Sequence, residues 1–196
     1  MDKKKNNGGA FIEAPTNIPW YLKIGLWAAK KTTGKEMLPG LLLAWFPKAA
    51  IGSGFLEFLT AHGPKDMERR ILKIVRIRAS ALISCPFCID MNSYDYPDHG
   101  LTREEAEALS QKTGWDAIAS FSRRERIALR YAEGISMTPP DFPQELRDEI
   151  RLHFSEREIV IMAATVAQVN YWARLLRALA VPSAGFCELI NQKPTA

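Results

Sequence analysis

The stretch Phe121-Ser122-Arg123-Arg124-Glu125-Arg126-Ile127-Ala128-Leu129-Arg130-Tyr131-Ala132 opens as a helix. Ser122 can accept from the backbone N–H of Glu125, and the Glu125 carboxylate can reach back to Ser122, the reciprocal capping box. The same spacing recurs in Thr102-Arg103-Glu104-Glu105 and Ser155-Glu156-Arg157-Glu158. Leu101 with Ala106 and Phe154 with Ile159 offer hydrophobic staples across two of these starts. One such box says little. Three, each opening a run of apolar residues at helical spacing, predict an all-α chain. No sustained apolar/polar alternation between tight glycine turns signals a strand.

Outward from these starts, helices are expected over 102–112, 122–136, 143–154 and 155–180. Upstream they are expected over 66–84, from Pro86 to no further than Pro97, over 20–31, and as one or two short pieces in 38–62 broken at Pro47. Pro139, Pro140 and Pro143 mark a stiff connector. The domain plan is a loose tail at 1–15, an N-terminal helical arm at 16–62 and a helical core at 63–196. Helices 66–84 and 155–180 are apolar on more than one face, which means burial on most sides. In a chain this small that suggests a core shared between subunits, and the alternative is two central helices of a monomeric bundle.

Composition narrows the classes. At 196 residues and 22.0 kDa, with 47% hydrophobic and 24% charged residues, the chain can bury a core without disulfide staples. The net charge of +4 is localised: residues 1–60 hold eight Lys against four acids, and the rest balances. No dense basic face with interleaved aromatics signals a nucleic-acid partner. The longest uncharged apolar runs, 37–47 and 79–89, fall short of a membrane span. The N-terminus has Lys but no apolar segment directly after it, so a signal peptide is not expected and a cytoplasmic setting is.

In such a reducing setting the segment Ser84-Cys85-Pro86-Phe87-Cys88 stands out. Pro is favoured at the first helical position. With Pro86 there, Cys85 is the N-cap and Cys88 the third helical residue, whose backbone a cap side chain normally meets. The two sulfurs then approach within bonding reach. Both sit in the positive field of a helix start, which favours thiolate. A reversible dithiol/disulfide pair is the expectation. Zinc would want four close ligands, whereas Cys187, His62, His99 and His153 are scattered singly, so no metal is expected. Cys187 reads as core packing.

These residues carry a family resemblance. Arg76-Ile77-Arg78-Ala79-Ser80 followed by Ser84-Cys85-Pro86-Phe87-Cys88-Ile89-Asp90-Met91 resembles the core of the carboxymuconolactone decarboxylase / alkylhydroperoxidase AhpD-like family. The stretch 121–132, then Phe154-Ser155-Glu156-Arg157-Glu158, then Asn170 four residues before Arg174 resemble its peroxidase-related branch, so that about 66–182 is covered. The resemblance implies an AhpD-like helical bundle, a homo-oligomer of trimer or hexamer type, and thiol-dependent peroxidase ancestry. It also implies that Cys88 attacks peroxide and Cys85 resolves, with a Glu and a His moving the proton. Those two family positions hold Lys73 and Asn92.

Asn92 can hydrogen-bond Cys88 across one turn but cannot exchange a proton near neutral pH. Lys73 would favour thiolate if it faces the pair, or it is a solvated charge on the helix surface. Asp95, expected on the same helix face as Asn92, and His99, expected at a helix end, are candidate auxiliaries. Tyr94 and Tyr96 are further possible donors, with core packing the simpler reading. The reading is a peroxidase-like thiol oxidoreductase with no resident cofactor, acting on a small-molecule oxidant and needing an external thiol reductant or reductase. A cofactor-free decarboxylase-like enzyme and a non-catalytic helical binding protein on the same fold remain open. Trp20, Tyr21, Trp27, Trp45 and Phe46 in the arm would cover a neighbouring subunit, cap the active-site pocket or complete the core.

Overall fold

The computed structural model describes residues 9–60 and 65–191, with side chains to 189. Most of the expected 1–15 tail, and His62 among the candidate zinc ligands, lie outside the described residues. Every regular element among the described residues is helical. The chain divides into two compact units, one of residues 1–61 with 178–182 and the other of 62–177 with 183–196.

In the first unit, α1 (Trp20–Thr33) stops at Gly34, whose φ of 70° places it in the left-handed region that glycine enters without strain. Helix α2 (Leu38–Leu43) starts with Pro39 in its first turn, and α3 (Pro47–Leu59) starts on Pro47 itself. Leu26 of α1 packs on Gly40 of α2 so closely that an added Cβ would lie 2.7 Å from its Cδ2.

The second unit is built around α4 (Arg69–Leu82). After it come α5 (Pro86–Ser93), a 3-10 turn Tyr96–His99, α6 (Arg103–Ser110), a 3-10 turn Trp115–Ala117, α7 (Arg123–Ser136), α8 (Gln144–His153), α9 (Glu156–Ala178) and the short α10 (Glu188–Asn191). The expected helices appear with ends shifted by up to three residues. All three capping boxes form: Glu105, Glu125 and Glu158 each accept from the backbone N–H of Thr102, Ser122 and Ser155, whose hydroxyls accept in return. Arg70 of α4 then joins two of them, donating to Glu105 Oε1 at 2.7 Å and to Glu125 Oε1 at 2.5 Å.

The all-round apolar surface of α4 is satisfied inside its own unit. Ile71, Ile74, Val75 and Ile77 pack in one core with Leu109, Ile127, Leu129, Met162 and Val166. The burial of α4 is thus accounted for within its own unit. Helix α9 is long and apolar enough by composition to cross a membrane, yet its Met162, Val166 and Val169 belong to this core and it buries Thr165, Gln168 and Asn170.

Candidate active site

Helix α4 gives way to α5 through a tight connection. Ser84 adopts φ 55°, in the left-handed region, and the Cys85 N–H donates to Ser80 O at 3.3 Å. Cys85 is the N-cap of α5, Pro86 lies in its first turn, and the Cys88 N–H donates to Cys85 Sγ at 3.2 Å. This is the cap-to-third-residue contact the sequence predicts. The two cysteines form a disulfide with Cα atoms 5.2 Å apart, within the usual range. Both are buried: Cys85 has no exposure and Cys88 retains 4%.

Asn92 does reach Cys88, though at the backbone. Its Nδ2 donates to Cys88 O at 3.0 Å and to Ser80 Oγ at 2.9 Å, so the amide ties α5 to α4 and turns no hydrogen toward sulfur in these bonds.

Lys73 is not a solvated surface charge. It is buried in α4 and its ammonium is held by Asp95 Oδ1. Burial pulls its pKa below the usual lysine value, and the Asp95 contact works against that fall. Asp95 is not on the Asn92 face of α5, because that helix ends at Ser93; it precedes the 3-10 turn. Its partial burial pushes its pKa up, and the hydrogen bond and charge of Lys73 outweigh this, leaving it below the ordinary carboxylate value. Its second oxygen, Oδ2, lies 3.1 Å from His99 Nε2 at the end of the 3-10 turn, while His99 Nδ1 is buried with no partner. The structure thus brings Lys73, Asp95 and His99 together in one chain of polar contacts. Tyr96 packs against the core, and Tyr94 is exposed, edge-on to Phe186 at 5.8 Å.

Asp90, beside the cysteine pair, is a clamp that the sequence analysis does not single out. It is fully buried, and its carboxylate accepts three backbone N–H bonds: from Ala184 and Phe186 to Oδ2 at 2.9 and 3.0 Å, and from Cys187 to Oδ1 at 2.6 Å. This clamps the 183–187 segment onto α5, where Phe186 meets Phe87 edge-on at 6.5 Å. The available signal is an acid at helical spacing between Phe87 and Tyr94, on a face that is otherwise aromatic. Cys187 is buried and outside the disulfide. Among the described residues no three His, Cys, Asp or Glu side chains cluster to hold a metal ion.

No protein-family model matches the chain. It is 28% identical over 182 residues to the uncharacterized protein YnjA of Escherichia coli K12, covering 91% of this chain and 96% of that one. It is 30% identical over 111 residues to the uncharacterized protein YdfG of Bacillus subtilis 168, covering 56% of this chain and 74% of that one. Among solved structures, an uncharacterized peroxidase-related protein from Silicibacter sp. TM1040 matches with TM-score 0.78 and 16% identity, over 97% of this chain and 99% of its own. An alkylhydroperoxidase AhpD core protein from Ralstonia eutropha JMP134 matches with TM-score 0.76 and 15% identity, over 90% and 94%. A cysteine-to-alanine variant of the debrominase Bmp8, in complex with 2,3,4-tribromopyrrole, matches with TM-score 0.75 and 17% identity, over 93% and 98%. At these identities the structural matches establish a common fold.

Proposed function

We propose that the chain, which has the AhpD-like fold, is a thiol-dependent oxidoreductase of that kind, cycling Cys85 and Cys88 between dithiol and disulfide against peroxide or a related oxidant. The observation that carries the reading is the disulfide at the start of α5, with Cys85 capping the helix and accepting from the Cys88 N–H.

In the reduced protein the Cys88 thiolate attacks a peroxide oxygen. The O–O bond breaks, Cys88 becomes a sulfenic acid, and the alkoxide or hydroxide leaves with a proton as alcohol or water. The Cys85 thiol then attacks the Cys88 sulfur, forming the disulfide and releasing water. An external dithiol or a reductase partner returns two electrons, so no resident cofactor enters the cycle. A cytoplasmic setting is part of the proposal, because it keeps the pair reduced between turnovers.

The assignment of attack to Cys88 comes from the family resemblance. Thiolate is favoured by the helix start. Protonation of the leaving oxygen has no evident donor, since Asn92 is committed to Ser80 and Cys88 O, and Lys73 to Asp95. Oxidants whose leaving group departs as a stable anion therefore suit the site better than alkyl peroxides.

The same two commitments favour one second reading, a helical binding protein that kept the cysteine pair without turnover. Oxidant consumption in the presence of a dithiol, compared between wild type and Cys88→Ser, separates the cases. Turnover that Cys88→Ser abolishes supports the oxidoreductase. A disulfide that forms and reduces with no catalytic turnover supports the binding protein. Oxidant turnover indifferent to Cys88→Ser overturns the role given to Cys88.

A further inference from the structure

A cation stands where the middle of α4 comes to solvent. From Ile71 to Ala81 every residue is buried except Arg76, which is half-buried. Arg76 lies one turn before Ser80 on the same helix face. Ser80 is the residue of α4 that meets the cysteine pair. Its carbonyl accepts from the Cys85 N–H at 3.3 Å, and its hydroxyl accepts from Asn92 Nδ2, which also donates to Cys88 O. The same hydroxyl donates to Arg76 O at 2.8 Å. Arg76 thus starts about 6 Å along the helix axis from the residue that ties both cysteines to α4. An acyl group of a few carbons spans that gap.

The guanidinium is held from the facing helix. Gln168 of α9 is buried, and its Oε1 accepts from Arg76 Nη2 at 3.3 Å, which positions the group without cancelling its charge. A guanidinium carries five donors in a planar fork, and a carboxylate takes two of them in parallel. The neighbouring cations are engaged elsewhere. The Lys73 ammonium is held by Asp95, and Arg78 by Glu133 and the carbonyls of Gln111 and Lys112.

The missing proton donor selects the class of oxidant. An alkyl hydroperoxide leaves an alkoxide that needs a proton, and Asn92 and Lys73 are both committed. A peroxycarboxylic acid leaves a carboxylate, which needs none. The Cys88 thiolate attacks the terminal peroxy oxygen, the O–O bond breaks, and its electron pair departs on the carboxylate. The hydroxyl hydrogen stays on the oxygen now bound to sulfur. Cys88 is oxidised to a sulfenic acid, the peroxy group is reduced, and one negative charge stands on each side of the step.

We propose that Arg76 is a substrate-binding residue of this site, and that it takes the acyl end of a peroxycarboxylic acid and holds the carboxylate as it leaves. The proposal rests on the thiol oxidoreductase reading and names the oxidant class for it.

Single-turnover oxidation of the pre-reduced full chain tests it, with the Cys85–Cys88 disulfide read by mass spectrometry after an acid quench. Peroxybenzoic acid and cumene hydroperoxide are the two oxidants. Arg76→Met is expected to slow the reaction with peroxybenzoic acid about tenfold or more and to leave the reaction with cumene hydroperoxide unchanged. Arg76→Lys, which keeps the charge and loses the fork, is expected to fall between Arg76→Met and wild type. Benzoate is expected to slow wild-type oxidation saturably, and benzamide, uncharged and of similar shape, is expected not to. The benzoate arm needs no variant, so it decides even where Arg76→Met misfolds. Equal slowing with both oxidants, a peroxybenzoic acid rate indifferent to Arg76→Met, or benzoate no better than benzamide overturns the proposal and leaves the thiol reading standing. Consumption of both oxidants unchanged in Cys88→Ser overturns the thiol reading, and this proposal with it.

Discussion

Lys73 and Asp95, twenty-two residues apart, form an ion pair in which the lysine is buried and the carboxylate side chain is 38% exposed. The pair stands where the family resemblance calls for a glutamate. A simple restoration, Lys73→Glu, would set two carboxylates against each other in a largely buried site. It should destabilise by about 3–5 kcal/mol, the scale of an uncompensated buried charge. Lys73→Met should cost less, about 1–3 kcal/mol, because Asp95 can turn to water. Lys73→Glu combined with Asp95→Asn should recover most of the loss. Urea unfolding of the three variants checks the order. Only in the combined background is Asn92→His a fair test of whether the family relay raises turnover.

Arg70 joins the capping boxes of α6 and α7 through Glu105 and Glu125. Thr102→Ala removes one cap hydroxyl and should cost about 1 kcal/mol. Arg70→Met leaves two buried carboxylates without their cation and should cost about 3 kcal/mol. The double variant should fall short of the sum, since both act on Glu105. Chemical denaturation of the four proteins reads the coupling directly.

Acid should unfold the protein through three carboxylates. Asp95, Glu105 and Glu158 are each pushed up by burial. Each ends below its ordinary value because its hydrogen bonds, and the charge of Lys73, Arg70 or Arg124 beside it, outweigh burial. Folded values below unfolded ones mean stability that is fully present above the unfolded value, near pH 4, and is lost as pH falls through the folded values. Urea midpoints should therefore hold from about pH 7 to 5 and drop below about pH 4. Glu105→Gln should weaken the protein at neutral pH and flatten this acid limb. An unchanged limb in Glu105→Gln would remove that residue from the account.

Much of the fold is legible in the sequence because its signals are local. A capping box spans four residues, and so does the Cys85 cap with Pro86 behind it, so each can be read without knowing what lies opposite. Burial on every side of α4 is legible too, but the pattern is the same whether neighbours come from one chain or two. Only the packing of Leu109, Ile127 and Met162 around it decides. Lys73 is ambiguous in the sequence because its partner lies beyond the end of α5, across a turn that sequence pattern does not place. Asp90 shows only as an acid on an otherwise aromatic face, and its partners cannot be read for a related reason: its three donors are backbone amides more than ninety residues away, and backbone leaves no mark in the sequence.

Gly134 sits inside α7, where glycine ordinarily weakens a helix. The chain tolerates it because the segment after α7 folds back, with the Asp141 N–H donating to Gly134 O at 3.1 Å. A Cβ at 134 would lie 2.3 Å from Asp141 O and 3.1 Å from the Phe142 ring. Gly134→Ala should thus destabilise by about 1–3 kcal/mol, against the gain an exposed helix position would show. Thermal melting of this variant is sufficient to tell.

The thiols give the last prediction. Mild oxidation of the reduced protein should produce one intramolecular disulfide, Cys85 to Cys88, and leave Cys187 as a thiol. The first part follows from the cap: Cys85 Sγ already meets the Cys88 N–H, so ring closure needs little rearrangement. The second part follows from the clamp. Cys187 is 3% exposed and its N–H is held by Asp90 Oδ1, so it reaches an oxidant only if the 183–187 segment lifts from α5. Asp90→Asn keeps the size of the side chain but replaces an acceptor oxygen with a donor facing N–H groups. It should destabilise by about 2–3 kcal/mol and release that segment. In Asp90→Asn, therefore, amide exchange at 184–187 should speed up and Cys187 should become alkylatable, while the Cys85–Cys88 bond still forms. Mass spectrometry after oxidation and alkylation reads both sites at once. Wild-type Cys187 labelled as fast as an exposed thiol, or joined to Cys88, would sink the clamp and the pairing together.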